Sequence, residues 1–275
     1  MKKILVPIDF SKTSEYASKA AAVVAKKTKA TVYLIHLIEL PKGVIDMAAS
    51  SRFSIPESML YLRKIRKKIL HFKNTIFSDD IHVEYFIKLN NPFEGIQKYA
   101  DKIDADLIIM GSKGHSELEE MIIGSNTEKV VRNITRPVII VKKDCKKLKL
   151  KNVIFASNFK EENKAVFAKF VNFASIFNSK IHLLNINTPS NFQATAKAKQ
   201  KIKDFIKDFD LQKYKINVFS DASVEKGILN FSDEIKADLI ALSTHGRSGL
   251  AHLFTGSVTK NLSKNALKPM MTIKV

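Results

Sequence analysis

Cysteine and long hydrophobic runs are what this sequence most plainly lacks. Its 275 residues include one cysteine, Cys145, which excludes a disulfide framework and suits a reducing compartment. No stretch of about 18 apolar residues is present, so nothing in the sequence is expected to span a membrane. The opening segment resembles a signal peptide for only five residues, because Pro7 and Asp9 interrupt its apolar run. We therefore expect a cytoplasmic protein with no membrane partner.

Arginine is also scarce, although the chain is strongly basic. The formal net charge is +19, yet only six of the 46 basic residues are arginine. Arginine is the residue that best makes bidentate contacts with phosphates and bases. The lysines are scattered over predicted helix surfaces, so we interpret them as a solvated exterior and do not expect nucleic acid as a partner. A surface for polyanions is the alternative that this charge leaves open.

The usual sequence signals of catalysis and of metal binding are missing as well. No serine, histidine and acid are spaced like a catalytic triad, and no cysteine and histidine spacing indicates zinc. No Gly-Lys-Ser/Thr ends a glycine-rich loop, which excludes a Walker A site. Histidines at strand ends, such as His36, are typical of structural hydrogen bonding. We therefore expect neither catalytic residues nor a protein-bound metal.

What the sequence does contain is two copies of one domain-sized unit. The stretch "DLIIMGSKG" at 106–114 matches "DLIALSTHG" at 238–246, an offset of 132 residues. The openings of the two copies are offset by 149 residues, so the first copy is 17 residues longer, most simply within 41–59. We predict one domain at residues 1–144 and a second at residues 145–275.

Strands and helices alternate within each predicted domain. The helices include Ser11–Lys27, Phe167–Phe177 and Val258–Ser263. Such alternation implies a parallel sheet with helices on both faces. Ligands of these sheets bind beyond the carboxyl ends of the strands, where the strand order reverses. If the first and fourth strands are neighbours, Asp9 and Gly111 meet in one crevice.

A glycine motif follows the fourth strand. Gly111, Gly114, Gly124 and Ser125 have the spacing Gly-x2-Gly-x9-Gly-Ser, and most of it recurs in the second copy. Glycine lets the backbone approach a ligand closely, and the start of the helix after Gly124 favours an anion. A turn rich in N–H groups beside a helix N-terminus suits a chain of phosphates.

Simpler interpretations of these residues stay open. The glycines occupy turns that need no ligand. Ser125 and Glu128 have the spacing of a capping box, and Asp9 is placed to cap the first helix. The coincidence of all three features at one predicted crevice, and their partial repetition, favours a binding site.

The whole chain resembles a tandem universal stress protein. The nucleotide-binding pattern of that family, Gly-x2-Gly-x9-Gly-Ser/Thr, is met in full in the first copy. The stretch "ILVPIDFS" resembles the family's first strand with its acidic residue, and "LIHLIE" resembles its second strand. The resemblance implies an α/β fold of two repeated, doubly wound, parallel five-stranded sheets of the adenine-nucleotide alpha-hydrolase-like (HUP) class. The implied strand order is 3-2-1-4-5, and the sheets pair through their last strands.

The resemblance also implies a ligand, which is ATP, ADP or AMP, with Mg²⁺ held through the phosphates. Pro7 shapes the turn, Asp9 faces the adenosine, and Leu37 holds the adenine. The residues implied at the ribose and phosphates are Met110, Gly111, Gly114, Gly124, Ser125, Asn126 and Thr127. At most, slow ATP hydrolysis or self-phosphorylation accompanies binding in this family.

The second copy departs from the family pattern. Asn158 replaces the acid and Ser243 replaces the first glycine. Its less complete set of candidates is Asn158, Leu242, Ser243, Gly246, Arg247, Gly256, Ser257, Val258 and Thr259. Motif completeness favours nucleotide in the first copy, whereas the local charge favours phosphate in the second.

The family resemblance predicts a cytoplasmic stress-response protein that acts as an ATP-binding regulatory module. A nucleotide-free docking protein and a polyanion binder are the alternatives. An unidentified protein partner and a homodimer of the whole chain stay open.

Overall fold

Strands and helices alternate throughout the described part of the chain. The computed structural model describes residues 1–39, 55–112, 124–144, 148–244 and 268–274. The first half contains β1 (Lys3–Pro7), α1 (Lys12–Thr28), β2 (Thr31–Ile38), α2 (Ile55–Ile76), β3 (Val83–Leu89), α3 (Pro92–Lys102), β4 (Leu107–Gly111), α4 (Ser125–Asn133) and β5 (Val138–Val141). The second half contains β6 (Asn152–Ala156), a 3-10 turn (Glu161–Asn163), α5 (Lys164–Ile176), β7 (Lys180–Asn187), α6 (Thr195–Ile206), β8 (Tyr214–Ser220), α7 (Val224–Glu234), β9 (Leu239–Thr244) and β10 (Met270–Lys274).

A side-chain cap explains the start of α1, whereas two other helices start earlier in the chain than we predicted. α1 begins after Ser11, whose side chain accepts a hydrogen bond from the Ser14 N–H at 3.2 Å. α5 begins at Lys164, before the predicted Phe167, and directly follows the 3-10 turn Glu161–Asn163. Residues 55–59, predicted as part of a loop insertion, are the start of α2. The predicted helix Val258–Ser263 lies outside the described residues.

All ten described strands form one sheet. Their order is β3-β2-β1-β4-β5-β10-β9-β6-β7-β8, so each half has the predicted order 3-2-1-4-5. Strands within each half are parallel, whereas β5 and β10 are antiparallel, with Ile139 opposite Met271 and Ile140 opposite Met270. The prediction that the halves pair through their last strands is confirmed.

Two apolar cores cover the two faces of the sheet, and each core runs through both halves. Side chains alternate between the faces along a strand, so Ile4 and Val6 enter one core and Leu5 the other. α1, α2, α5 and α6 pack on the first face, and α3, α4 and α7 pack on the second. Because the halves join by antiparallel strands, a twofold relation places equivalent helices on the same face.

Candidate functional site

Nine of the ten residues predicted in the first half line one crevice at the carboxyl ends of β1 and β4. These strands are direct neighbours, with Ile4 paired to Leu107 and Leu5 to Ile108. The crevice has a volume of about 340 Å³. The predicted residues that line it are Pro7, Asp9, Leu37, Met110, Gly111, Gly124, Ser125, Asn126 and Thr127. Gly114 lies outside the described residues.

The crevice also has walls that the motif did not indicate. They come from the end of β1, from α1, from β2 and from the start of α3, through Ile8, Ser14, Ile35, Pro92 and Ile96. Two larger cavities, of about 460 and 580 Å³, lie elsewhere and contain none of the predicted site residues. The convergence of polar groups where the strand order reverses marks the smaller crevice as the candidate site.

Asp9 organises the turn between β1 and α1. Its Oδ1 accepts hydrogen bonds from the Ser11 N–H at 3.0 Å and from the Ser11 hydroxyl at 2.6 Å. Ser11, and not Asp9, caps α1, so the capping interpretation of Asp9 was wrong. The half-buried carboxylate is therefore held in a fixed orientation at the crevice wall.

The backbone N–H and carbonyl groups of Leu37 lie just past the carboxyl end of β1, where β2 has no further partner in β1. The β1–β2 ladder ends at the Pro7–Ile35 pair, after which the Ile8 N–H donates to the Ile35 carbonyl at 2.9 Å. Backbone groups alternate sides along a strand, so the N–H and carbonyl of Leu37 point the same way as those of Ile35, beyond β1. His36 donates from Nδ1 to the Ile8 carbonyl at 2.8 Å, which confirms its structural role. The β2 wall thus presents one backbone donor and one acceptor.

Gly111 lies where α1 and β4 touch. A Cβ on Gly111 would lie 2.7 Å from both the carbonyl carbon and Oγ1 of Thr13, so no larger residue fits without a shift. The Gly111 carbonyl accepts a hydrogen bond from the buried Thr127 hydroxyl at 3.0 Å. The Gly124 N–H donates to the Ser112 carbonyl at 2.7 Å. These bonds fix the start of α4 against the end of β4.

Among the residues that the structure describes, no side chain caps the start of α4. Gly124 is the N-cap residue, and Ser125 is the first helical residue. The alternative interpretation as a capping box was therefore wrong, and Glu128 instead pairs with Arg132 at 2.7 Å. The first N–H groups of an α-helix have no acceptor within the helix, and together with the helix dipole they favour an anion. The start of α4 therefore offers an anion site at the crevice mouth.

Both halves match one protein family. The family model described as "Universal stress protein family" matches residues 1–142 and 149–274. The chain belongs to the universal stress protein family. Universal stress protein MJ0531 of Methanocaldococcus jannaschii is 32% identical over 148 residues, which cover 52% of this chain and 82% of that protein. The prediction of a tandem member is confirmed.

Two further relatives of this universal stress protein extend over the full chain. Universal stress protein Slr1230 of Synechocystis sp. is 22% identical over 295 residues and is covered completely, as is this chain. The crystal structure of a universal stress protein from Archaeoglobus fulgidus DSM 4304 covers 99% of this chain and 96% of its own, with a TM-score of 0.71 and 20% identity. The latter shows that the tandem fold is shared.

Only part of the site predicted in the second half lies among the described residues. Asn158 is exposed, and its Oδ1 accepts hydrogen bonds from the Lys160 N–H at 3.2 Å and from Asn163 Nδ2 at 3.0 Å. Leu242 pairs with Ala156 on the neighbouring strand, and Ser243 follows it. The predicted residues outside the described ranges are Gly246, Arg247, Gly256, Ser257, Val258 and Thr259.

Two glycines that we did not single out let a helix pack closely against the second strand of each half. A Cβ on Gly95 would lie 2.5 Å from Leu37 Cδ2, and a Cβ on Gly227 would lie 2.8 Å from Ile186 Cγ2. Gly95 and Gly227 are 132 residues apart, which is the offset of the main motif. Their repetition was therefore a detectable signal that the helix after the third strand packs tightly against the second strand in both halves.

Proposed function

We propose that the first-half crevice binds an adenine nucleotide, which is ATP or the related ADP or AMP. The observation that carries this proposal is the convergence of nine predicted site residues on one crevice beside two neighbouring strands. Its volume of about 340 Å³ lies within the range of small-molecule sites. Family membership supports the proposal, because both halves match the universal stress protein family.

The polarity of the crevice suggests how the nucleotide lies. The N–H and carbonyl of Leu37 suit the hydrogen-bonding edge of adenine, with Ile35 and Ile96 on the apolar wall. Asp9 suits a ribose hydroxyl, since Ser11 occupies only its Oδ1. The phosphates then extend past Gly111 toward the uncapped start of α4, where N–H groups and the helix dipole favour negative charge.

Magnesium is proposed to arrive with the nucleotide. The described residues contain no group of three or more histidine, cysteine, aspartate or glutamate side chains placed to hold a metal ion. Mg²⁺ commonly keeps several waters and takes its remaining ligands from substrate phosphates. A triphosphate at the start of α4 would therefore supply the main ligands itself.

We propose that binding serves regulation rather than turnover, in a cytoplasmic stress-response protein. The described crevice presents backbone groups and one orienting carboxylate, which suit recognition of a ligand. Nucleotide occupancy would then change the partners or the shape of the first half.

Ser125→Asp tests this proposal by titration calorimetry with ATP and with adenosine. The new carboxylate lies at the first residue of α4, where the helix dipole favours it by about 0.5 kcal/mol, so the fold is not weakened. We expect at least a roughly tenfold loss of ATP affinity through repulsion of the phosphates, with adenosine binding unchanged. Thr195→Asp, at the first residue of α6, is the matched control and should bind ATP like the wild type. Equal ATP affinity in all three proteins would contradict the proposed phosphate site.

A further inference from the structure

The helices on the two faces of the sheet carry very different charge. α1, α2, α5 and α6 contain 16 Lys and Arg residues but only three Asp and Glu residues. The described helices of the opposite face, α3, α4 and α7, contain five basic and six acidic residues. We call the outer surface of α1, α2, α5 and α6 the basic face. The lysines of the described helices are thus concentrated on one face of the sheet, whereas an even spread of lysine over these helices would load both faces.

The charges on α2 and α6 have little internal compensation. The ion pairs on the basic face involve Lys19 and Lys26 of α1 and Lys164 at the start of α5. Within the described ranges, no ion pair is formed by the exposed basic side chains of α2 and α6, which are Arg63, Lys64, Arg66, Lys67, Lys68, Lys197, Lys199 and Lys203. Like charges at helical spacing repel one another, so an external anionic surface would relieve this repulsion.

Large apolar side chains are exposed directly before the basic residues of α2. Met59, Leu60, Tyr61 and Leu62 are 49%, 55%, 54% and 44% exposed at the start of that helix. Phe192 is 74% exposed shortly before α6, the equivalent helix of the second half. The twofold relation therefore gives each half a basic helix with exposed apolar groups at or before its start.

We propose that the basic face docks on a membrane surface rich in anionic lipids. Lysine is attracted by the diffuse negative potential of such a surface without the bidentate geometry that arginine provides. Exposed leucine, methionine and phenylalanine side chains gain by entering the boundary between headgroups and acyl chains. Nucleic acid is the weaker fit, because aliphatic side chains gain nothing from a phosphate backbone.

This contact is peripheral and uses both halves. Among the described helices, none is long and apolar enough to cross a membrane. α1 and α2 contribute ten of the basic residues, and α5 and α6 contribute six, so the two halves bind the same surface together. The proposal differs from the expectation, drawn from the sequence, that no membrane takes part.

Vesicle flotation tests the electrostatic part of the proposal. We expect the wild type to bind phosphatidylcholine vesicles that contain about 30% phosphatidylglycerol, and not phosphatidylcholine alone. Binding should fall steeply between about 50 and 300 mM salt. The double variant Lys64→Glu/Lys67→Glu on α2 should bind at least roughly tenfold more weakly. Lys98→Glu/Lys102→Glu on α3 makes the same change in net charge on the opposite face and should bind like the wild type.

A second pair of variants separates lipid from nucleic acid. Leu62→Ser on α2 should weaken vesicle binding, whereas Val224→Ser at the start of α7, where the valine is equally 44% exposed, should not. Competition with a DNA oligonucleotide should leave most of the protein on the anionic vesicles. Equal losses from the α2 and α3 charge variants, no effect of Leu62→Ser, or transfer of the protein to DNA would each overturn the proposal.

Discussion

The two halves keep the same turn conformation after their first strand but differ in the charge of one residue in that turn. Phe10 and Phe159 both adopt left-handed backbone conformations, with φ of 64° and 53°. The preceding residue is Asp9 in the first half and Asn158 in the second, and each accepts hydrogen bonds from its own turn. Duplication has therefore preserved the backbone of the strand-end site, while the charge at that site has changed.

The halves also differ in how completely their buried polar groups are bonded. In the described ranges, the buried side-chain atoms without a hydrogen-bond partner are Asn163 Oδ1, Asn187 Oδ1 and both ring nitrogens of His182. All three residues lie in the second half. The first half has Tyr33 at the position of His182, and its ring stacks on Phe86 with centroids 6.4 Å apart. The second half has therefore diverged in its core as well as at its site.

The largest expected effect is a loss of stability when the strand pair β5–β10, which joins the two halves, is disrupted. Ile140→Asp would bury a charge beside Met270, at a position only 2% exposed. We expect a loss of about 4 kcal/mol of unfolding free energy, measured by urea denaturation followed by circular dichroism. Leu89→Asp, on the edge strand β3 at 63% exposure, is the control and should change stability little. A similar small loss for both variants would show that the joint contributes little.

A swap between the halves tests the close approach at the first motif glycine. Gly111→Ser gives the first half the residue of the second, and its Cβ would meet Thr13 at 2.7 Å. We expect about 2 kcal/mol of destabilisation from overpacking. The reverse change, Ser243→Gly in β9, should cost only about 0.5–1 kcal/mol through added freedom of the unfolded chain. A larger loss of stability for Ser243→Gly than for Gly111→Ser would contradict the proposed packing difference between the halves.

The smallest effect is a pH dependence that belongs to the second half. Burial, and then the charges of Lys180 and Lys215, lower the pKa of His182 below its ordinary value of 6.5. As the pH falls, His182 therefore takes up a proton in the unfolded chain before it does so in the folded protein. Its titration leaves the free energy of unfolding unchanged above about pH 6.5 and lowers that free energy progressively as the pH falls below this value. Relative to His182→Phe, the wild type should lose stability progressively as the pH falls from 7 to 5.5.

Exposed His71 supplies the control for that measurement. His71→Phe should keep the acid-dependent loss of the wild type, because it leaves the buried imidazole in place. Parallel pH profiles for the wild type and His182→Phe would contradict the account.

The strand order was implied by the resemblance to the universal stress protein family, because which strands are neighbours is not encoded in any short segment. Most of the crevice could be predicted because its residues belong to short-range patterns at strand ends, and the two offsets indicated which segments of the two halves are equivalent. The capping interpretation failed because Gly124 and Ser125 are adjacent, and sequence does not tell which of them precedes the helix. Residues on other elements, such as Ser14 and Ile96, enter the crevice through tertiary packing that no local pattern encodes.

The one-sided charge was hidden in the sequence for a different reason. Each lysine-rich helix is ordinary by itself, with lysines on its solvent side. Only the antiparallel pairing of β5 with β10 places α1, α2, α5 and α6 on the same face. The direction of that single strand pair decides whether the charges add on one face or are divided between two.

Photolabelling with 8-azido-ATP tests the central comparison most directly, because it reports where the adenine lies. Labelled peptides would be identified by mass spectrometry, with excess ATP as competitor. We predict ATP-protected labelling of the first-half peptides that contain Leu37 or Ile96. Protected labelling confined to the second half, near Ile186, or the absence of any protected label, would contradict the assignment of the nucleotide to the first half.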